Sequence, residues 1–126
     1  MPSILVDSDI VIDYLRGFES AKSFFKESFQ NRNLFLSVIN IAEIYSGRDT
    51  KKPVKDHAIV SFLNNFQIAV VTPTIAKSAG ILKRDYNAPF ADALVAATAL
   101  EYDFQLATRN IKHFKNIKRL KLLKPY

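Results

Sequence analysis

Short apolar runs alternate along the chain with segments whose apolar positions recur at helical spacing. Ile4-Leu5-Val6 is such a run, ends at Asp7 and reads as a buried strand. From Ile10 the apolar positions Ile10, Val11, Tyr14 and Leu15 repeat with the period of a helix, closed by Arg16-Gly17. Phe24, Phe25 and Phe29 give a second helix its apolar stripe, and Leu34-Phe35-Leu36 is the next strand. Ser37 is placed to cap a helix that runs to Tyr45 and stops at Gly47. Arg48 to Lys55 is polar with one proline and reads as a loop. A helix over Ala58 to Phe66 and a strand over Ile68 to Val71 follow, and Thr72 caps a helix from Ile75 to Tyr86. After Pro89, Ala91 to Tyr102 is alanine-rich and free of glycine and proline, the strongest helix signal in the chain. Gln105 to Thr108 reads as a strand, and Leu120 to Leu123 as a final one.

Strands that alternate with helices predict an α/β fold, a parallel central sheet with helices on both faces. No repeat, low-complexity segment or linker interrupts it, so residues 1–126 read as one domain. In such sheets, sites form outside the carboxyl ends of the strands. Asp7 and Asn110 each follow a predicted strand, Glu43 lies on the helix after one, and Asp92 opens the alanine-rich helix.

These acids stand out because each sits at the edge of an apolar element, whereas most acids of a folded chain lie in charge-rich stretches. Each also has an ordinary structural use. Asp7 could cap the first helix, although Ser8 and Asp9 compete for that place. Glu43 could form the polar face of its helix with Asn40 and Ser46, Asp92 could cap its own helix, and Asn110 could serve a turn. Should three carboxylates converge, each pair would repel by about 4 kcal/mol at an effective dielectric near 20, and a divalent cation is the simplest remedy.

Composition narrows the ion. The chain has no cysteine and only His57 and His113, which excludes thiolate sites and argues against a histidine-rich zinc site. Oxygen ligands favour Mg²⁺ or Mn²⁺. Neither histidine has an obvious Ser or Asp partner, and His113 reads as an exposed residue of the basic tail. Glycines at 17, 47 and 80 stand singly, so no phosphate-cradling loop exists. The net charge is +6, and basic residues crowd the last segment, Arg109 beside Asn110 and Lys112 among them as candidates for holding a phosphate backbone. Such a surface attracts nucleic acid. No apolar run approaches the roughly 20 residues a bilayer requires. The first residues lack the basic-then-apolar order of a signal peptide, so a cytoplasmic protein is expected.

Four blocks together resemble PIN-domain proteins, and most of all the VapC-type toxins of toxin–antitoxin pairs. They are Val6-Asp-Ser-Asp-Ile10 through Leu15-Arg-Gly17, Ser37-Val-Ile-Asn-Ile-Ala-Glu-Ile-Tyr-Ser-Gly47, Ala91-Asp-Ala-Leu-Val-Ala-Ala-Thr-Ala-Leu100, and Ala107-Thr-Arg-Asn-Ile-Lys-His-Phe114. The resemblance implies a three-layer α/β/α sandwich and an endoribonuclease dependent on Mg²⁺ or Mn²⁺. It carries the metal ligands onto Asp7, Glu43 and Asp92. The family often has a fourth acid where this chain has Asn110, and Asp9 occupies a position usually held by Asn or Asp. Implied partners are RNA (transfer RNA among the candidates), a cognate antitoxin and a second copy of the chain, with Phe24, Phe25 and Tyr45 as lining for an antitoxin groove or, as the commoner fate, as core. A PIN nuclease of RNA processing and a catalytically silent PIN module are the competing readings, the latter kept open by Asn110. Relatives commonly carry glycine where this chain has Asp103.

Overall fold

The computed structural model describes residues 1–126. Five strands form one all-parallel sheet in the order β3-β2-β1-β4-β5. They are β1 (Ser3–Val6), β2 (Asn33–Ser37), β3 (Gln67–Ala69), β4 (Gln105–Ala107) and β5 (Leu122–Leu123). The helices are α1 (Ser8–Leu15), α2 (Glu19–Asn31), α3 (Val38–Tyr45), α4 (Pro53–Leu63), α5 (Pro73–Tyr86), α6 (Phe90–Tyr102) and α7 (Ile111–Phe114).

Side chains of β1 alternate between the two faces of the sheet. Ile4 and Val6 enter one core with Ile10, Val11, Phe25 and Leu36, while Leu5 enters another with Val95, Ala96, Leu106 and Phe114. The first core is covered by α1, α2 and α4, the second by α6 and α7. Alanines 93, 96, 97 and 99 of α6 are all buried, and their small side chains let α5 pack closely through Ile75 and Ala79. The expected three-layer α/β/α sandwich is the fold observed. No helix is long and apolar enough to cross a membrane.

The chain lays β2 and β3 on one side of β1 and then returns to place β4 on the other. The direction of winding therefore reverses between β1 and β4. That is where a parallel sheet leaves a crevice at its carboxyl edge. Asp7 and the segment Thr108–Asn110 emerge there side by side, with the Asp7 N–H bonded to the Ala107 carbonyl at 2.9 Å.

Three local expectations change. Arg48–Lys51 is a 3-10 turn and α4 already begins at Pro53, because proline at the first helical position gives up an N–H that has no partner anyway. That helix ends at Leu63 rather than Phe66, and Gln67 joins β3. The α7 turn is too short to show a period in sequence. Phe25 is fully buried in the first core and lines no groove, Phe24 packs in the same core but borders a surface depression with Arg32 and Tyr126, and Tyr45 is partly exposed. Ser37 and Thr72 cap α3 and α5 as expected, each accepting a hydrogen bond from its helix's first turn.

Asp103 ends α6 in the left-handed conformation, φ 55°. Its carboxylate lies where the helix dipole is negative and meets only the exposed Lys121 ammonium. Glycine adopts this backbone without the clash a Cβ brings. Asp103→Gly is expected to raise the melting temperature by roughly 2–5 °C, read by thermal denaturation; an unchanged or lower value would contradict the strain.

Candidate active site

Asp7 is the N-cap of α1, with its Oδ1 accepting the Ser8 N–H at 2.9 Å. The competition expected from Ser8 and Asp9 does not arise, since capping falls to the residue that leaves the strand. Asp7 Oδ2 accepts the Thr108 hydroxyl at 2.8 Å, and the Asn40 amide lies 3.4 Å from Oδ1. Ser8, freed from capping, donates its hydroxyl to Glu43 Oε1 at 2.9 Å. One serine thus joins the two acids, through its N–H to Asp7 and its O–H to Glu43.

Asn40 explains how α3 is aimed. Its Oδ1 accepts the Ser37 N–H at 3.0 Å while the Ser37 hydroxyl accepts the Ile39 N–H, a reciprocal cap that fixes the start of the helix. Glu43 lies three residues further along, on the same face. Beside it opens a cavity of about 300 Å³ bordered by Ile12, Leu15, Arg16, Ile44 and Ile59.

Burial is the largest influence on Asp7, followed by the charge of Asp9; both raise its pKa, hydrogen bonds from Thr108 and Ser8 lower it, Glu43 raises it, and the result is pushed up to about 7. Asp9 is raised too, chiefly by burial. Its Oδ2 accepts the Arg109 N–H at 3.1 Å, whereas Oδ1 is a buried side-chain oxygen without a hydrogen-bond partner.

Asp92 is the third residue of α6 and makes no capping bond, so it does not serve as the cap of its helix. Its Oδ2 lies 3.1 Å from His113 Nδ1. The expectation that His113 lacks an acidic partner is therefore corrected: the α7 turn, unseen in the sequence, brings the imidazole back over the start of α6. Asn110 stands at the N-cap position of α7, exposed, with no capping bond from its side chain; its N–H reaches Thr108 Oγ1 at 3.0 Å. Arg109 is held by Asp13, Nη1 to Oδ2 at 2.7 Å, and Lys112 is exposed on α7.

Asp7, Asp9 and Glu43 are thus gathered at one edge, while no group of three acids or histidines stands close enough to share an ion, Asp92 being engaged by His113. The chemistry of the donors nevertheless suits a hard divalent cation. They are carboxylate oxygens, Asp7 resists ionisation because it is buried and lies near the Asp9 charge, and Asp9 presents an oxygen with nothing bonded to it. Sequence reasoning missed Ser8, Asn40 and Thr108 as parts of the site. Asn40 had a usable signal, since Ser37-x-x-Asn40 has capping-box spacing; Thr108 had none.

A doubly covered parallel sheet with carboxylates gathered at its switch point places the chain among the α/β domains that build their sites at the carboxyl edge of the sheet. Residues 4–120 match the PIN domain, and the chain belongs to that family. It is 35% identical over 123 residues to ribonuclease VapC10 of Mycobacterium tuberculosis, covering 94% of this chain and 90% of that protein. It is 31% identical over 117 residues to ribonuclease VapC19 of the same organism, covering 87% and 90%. Among solved structures, a toxin–antitoxin complex from Klebsiella pneumoniae superposes with a TM-score of 0.84 at 28% identity over 98% of both chains.

The raised pKa of Asp7 has a stability consequence with a definite sign. An unfolded aspartate ionises near pH 4, so between there and pH 7 the folded chain holds the proton more tightly than the unfolded one. Metal-free stability from this group is complete below pH 4 and is lost as pH rises through about 7. In EDTA, Asp7→Asn is expected to melt several degrees above wild type at pH 8 and close to it at pH 4. Equal melting temperatures at pH 8 would show that Asp7 carries no buried-charge penalty.

Proposed function

We propose that this chain is a VapC-type toxin, an endoribonuclease that uses Mg²⁺ or Mn²⁺ held by Asp7, Glu43 and Asp92 to hydrolyse RNA phosphodiesters. The observation that carries the reading is the buried Asp7 carboxyl, pushed up to about 7 and joined to Glu43 through Ser8 at the sheet's switch point. The likeness to two ribonucleases supports the reaction class, and the likeness to a toxin–antitoxin complex supports an antitoxin as partner.

A bound divalent ion lowers the pKa of a water and offsets charge gathering on the phosphate. The chain's own groups prepare the place. Ser8 and Thr108 orient the two oxygens of Asp7, Ser8 also fixes Glu43, and the Asn40 cap sets the direction of α3. Asp92 contributes when His113 releases it. Asn110, which stands where relatives often have a fourth acid, would offer an amide oxygen toward a bound ion. Arg109 and Lys112 hold the phosphate backbone, which positions a strand without reading its sequence. A structured RNA such as transfer RNA, cut at a single-stranded loop, is the expected substrate class, and a homodimer the expected assembly.

The engagement of Asp92 by His113 favours a second reading, a PIN module that binds RNA or a protein partner without cutting. One experiment separates the two. Purified protein is incubated with a mixed RNA pool and Mg²⁺ or Mn²⁺, beside EDTA and Asp7→Asn controls. Cleavage is expected to vanish in EDTA and to fall by more than about 100-fold in Asp7→Asn. Wild type that binds the pool and never cuts it would establish the silent module. In parallel, Mn²⁺ is expected to raise the melting temperature of wild type and much less that of Asp7→Asn or Asp92→Asn. An equal rise in Asp92→Asn would remove that residue from the ligand set. Multi-angle light scattering tests the dimer, which a monomer at every concentration would refute.

A further inference from the structure

Asp13, which holds Arg109, is not one of the acids assigned to the metal, yet it is among the most deeply buried charged residues, 3% exposed. A carboxylate taken this far from water costs several kcal/mol unless donors meet it. Two do, both on Oδ2: Arg109 Nη1 at 2.7 Å and the Tyr126 hydroxyl. Burial and the adjacent negative charge raise the Tyr126 pKa, so its hydroxyl remains a donor. The contact ties together α1, the turn between β4 and α7, and the segment after β5.

Arg109 is fixed at both ends by the same helix. Its backbone N–H donates to Asp9 and its guanidinium to Asp13, four residues or about 6 Å further along α1. A guanidinium has five N–H donors in a rigid plane. Asp13 takes one, and the side chain is still 47% exposed. The half-open side chain is thus anchored one helical turn beyond Asp9 and about one and a half turns beyond Asp7, with donors left over for a phosphate.

We infer that Asp13 and Tyr126 are positioning residues that present Arg109 to the RNA phosphate neighbouring the one that is cut, an inference that rests on the ribonuclease reading. Arg109 touches the substrate; Asp13 and Tyr126 act through it. An unrestrained arginine would reach many places with the same charge, whereas the clasped one offers its planar fork at a fixed place beside the acids.

A double-mutant cycle tests this. The affinity of the whole chain for a fluorescent single-stranded RNA is measured in EDTA, so that binding is read without cleavage. Arg109→Gln is expected to weaken binding about tenfold and to reduce the salt slope by about 0.7. Tyr126→Phe, which removes one hydroxyl, is expected to weaken it by about 4-fold in the wild-type background and to add nothing to Arg109→Gln. With metal present, Tyr126→Phe should raise KM on RNA by a similar factor while kcat falls by less than about twofold. Its hydrolysis of bis(p-nitrophenyl) phosphate, which has no neighbouring phosphate, should likewise fall by less than about twofold. If Arg109→Gln does not fold, leaving Asp13 short of a partner, Arg109→Lys keeps the ion pair and loses the fork, and the same non-additivity is expected.

Additive losses in the cycle, wild-type affinity in Tyr126→Phe, or equal losses on RNA and on the small diester would each overturn the clasp as a positioning device. Wild type that cuts RNA while the cycle is additive loses the clasp alone. Wild type that neither binds nor cuts RNA overturns the ribonuclease reading and this inference with it.

Discussion

The carboxyl group of Asp7 is the point at which separate parts of the chain become one structure. It caps α1, receives the Thr108 hydroxyl from beyond β4, and has the Asn40 amide of α3 beside it. Each contact lowers the cost of burying it, and together they still leave it reluctant to ionise. Its geometry could be kept by a neutral residue such as asparagine. A carboxylate here is instead left without a compensating positive charge from the protein. The tension between a well-bonded shape and a poorly compensated charge is what gives this edge of the sheet its chemical potential.

The same logic is resolved differently one and a half turns along α1. Asp13 is buried as deeply, but it is answered from within the chain by an arginine and a tyrosine. Asp7, Asp9 and Asp13 thus form a gradient along α1 and its cap, from a carboxyl without a positive partner to one already satisfied. Arg109 stands between them, its main chain at Asp9 and its guanidinium at Asp13.

Much of this was legible in the sequence, for identifiable reasons. The strands around Ile4, Leu34 and Leu106 are short apolar runs bounded by polar residues, and Ser37 and Thr72 sit where caps must sit. Asp7 and Glu43 betrayed themselves by lying in apolar surroundings. The remainder depends on distances that a one-dimensional pattern does not encode. Asn40 signals its cap by its spacing from Ser37 but not its contact with Asp7, 33 positions away, and Thr108 looks like an ordinary polar residue until folding brings it to Asp7 across 101 positions. The pairing of His113 with Asp92 depends on a four-residue helix too short to leave a periodic trace. Nothing around Asp13 in the sequence points to its partners, which lie 96 and 113 residues away.

The hydrogen bond between Thr108 and Asp7 has a consequence in time as well as space. It joins residues 101 apart, across a sheet whose central strand is made first and whose neighbour β4 is made fourth. A growing chain that has not yet reached Thr108 contains the acids but cannot hold Asp7 in place, and its half-built sheet lacks a wall on one side of β1. Non-local closure of this kind comes late in folding. The order of synthesis therefore sets the order of assembly: the carboxyl edge of the sheet is complete only after β4 and Thr108 have been added.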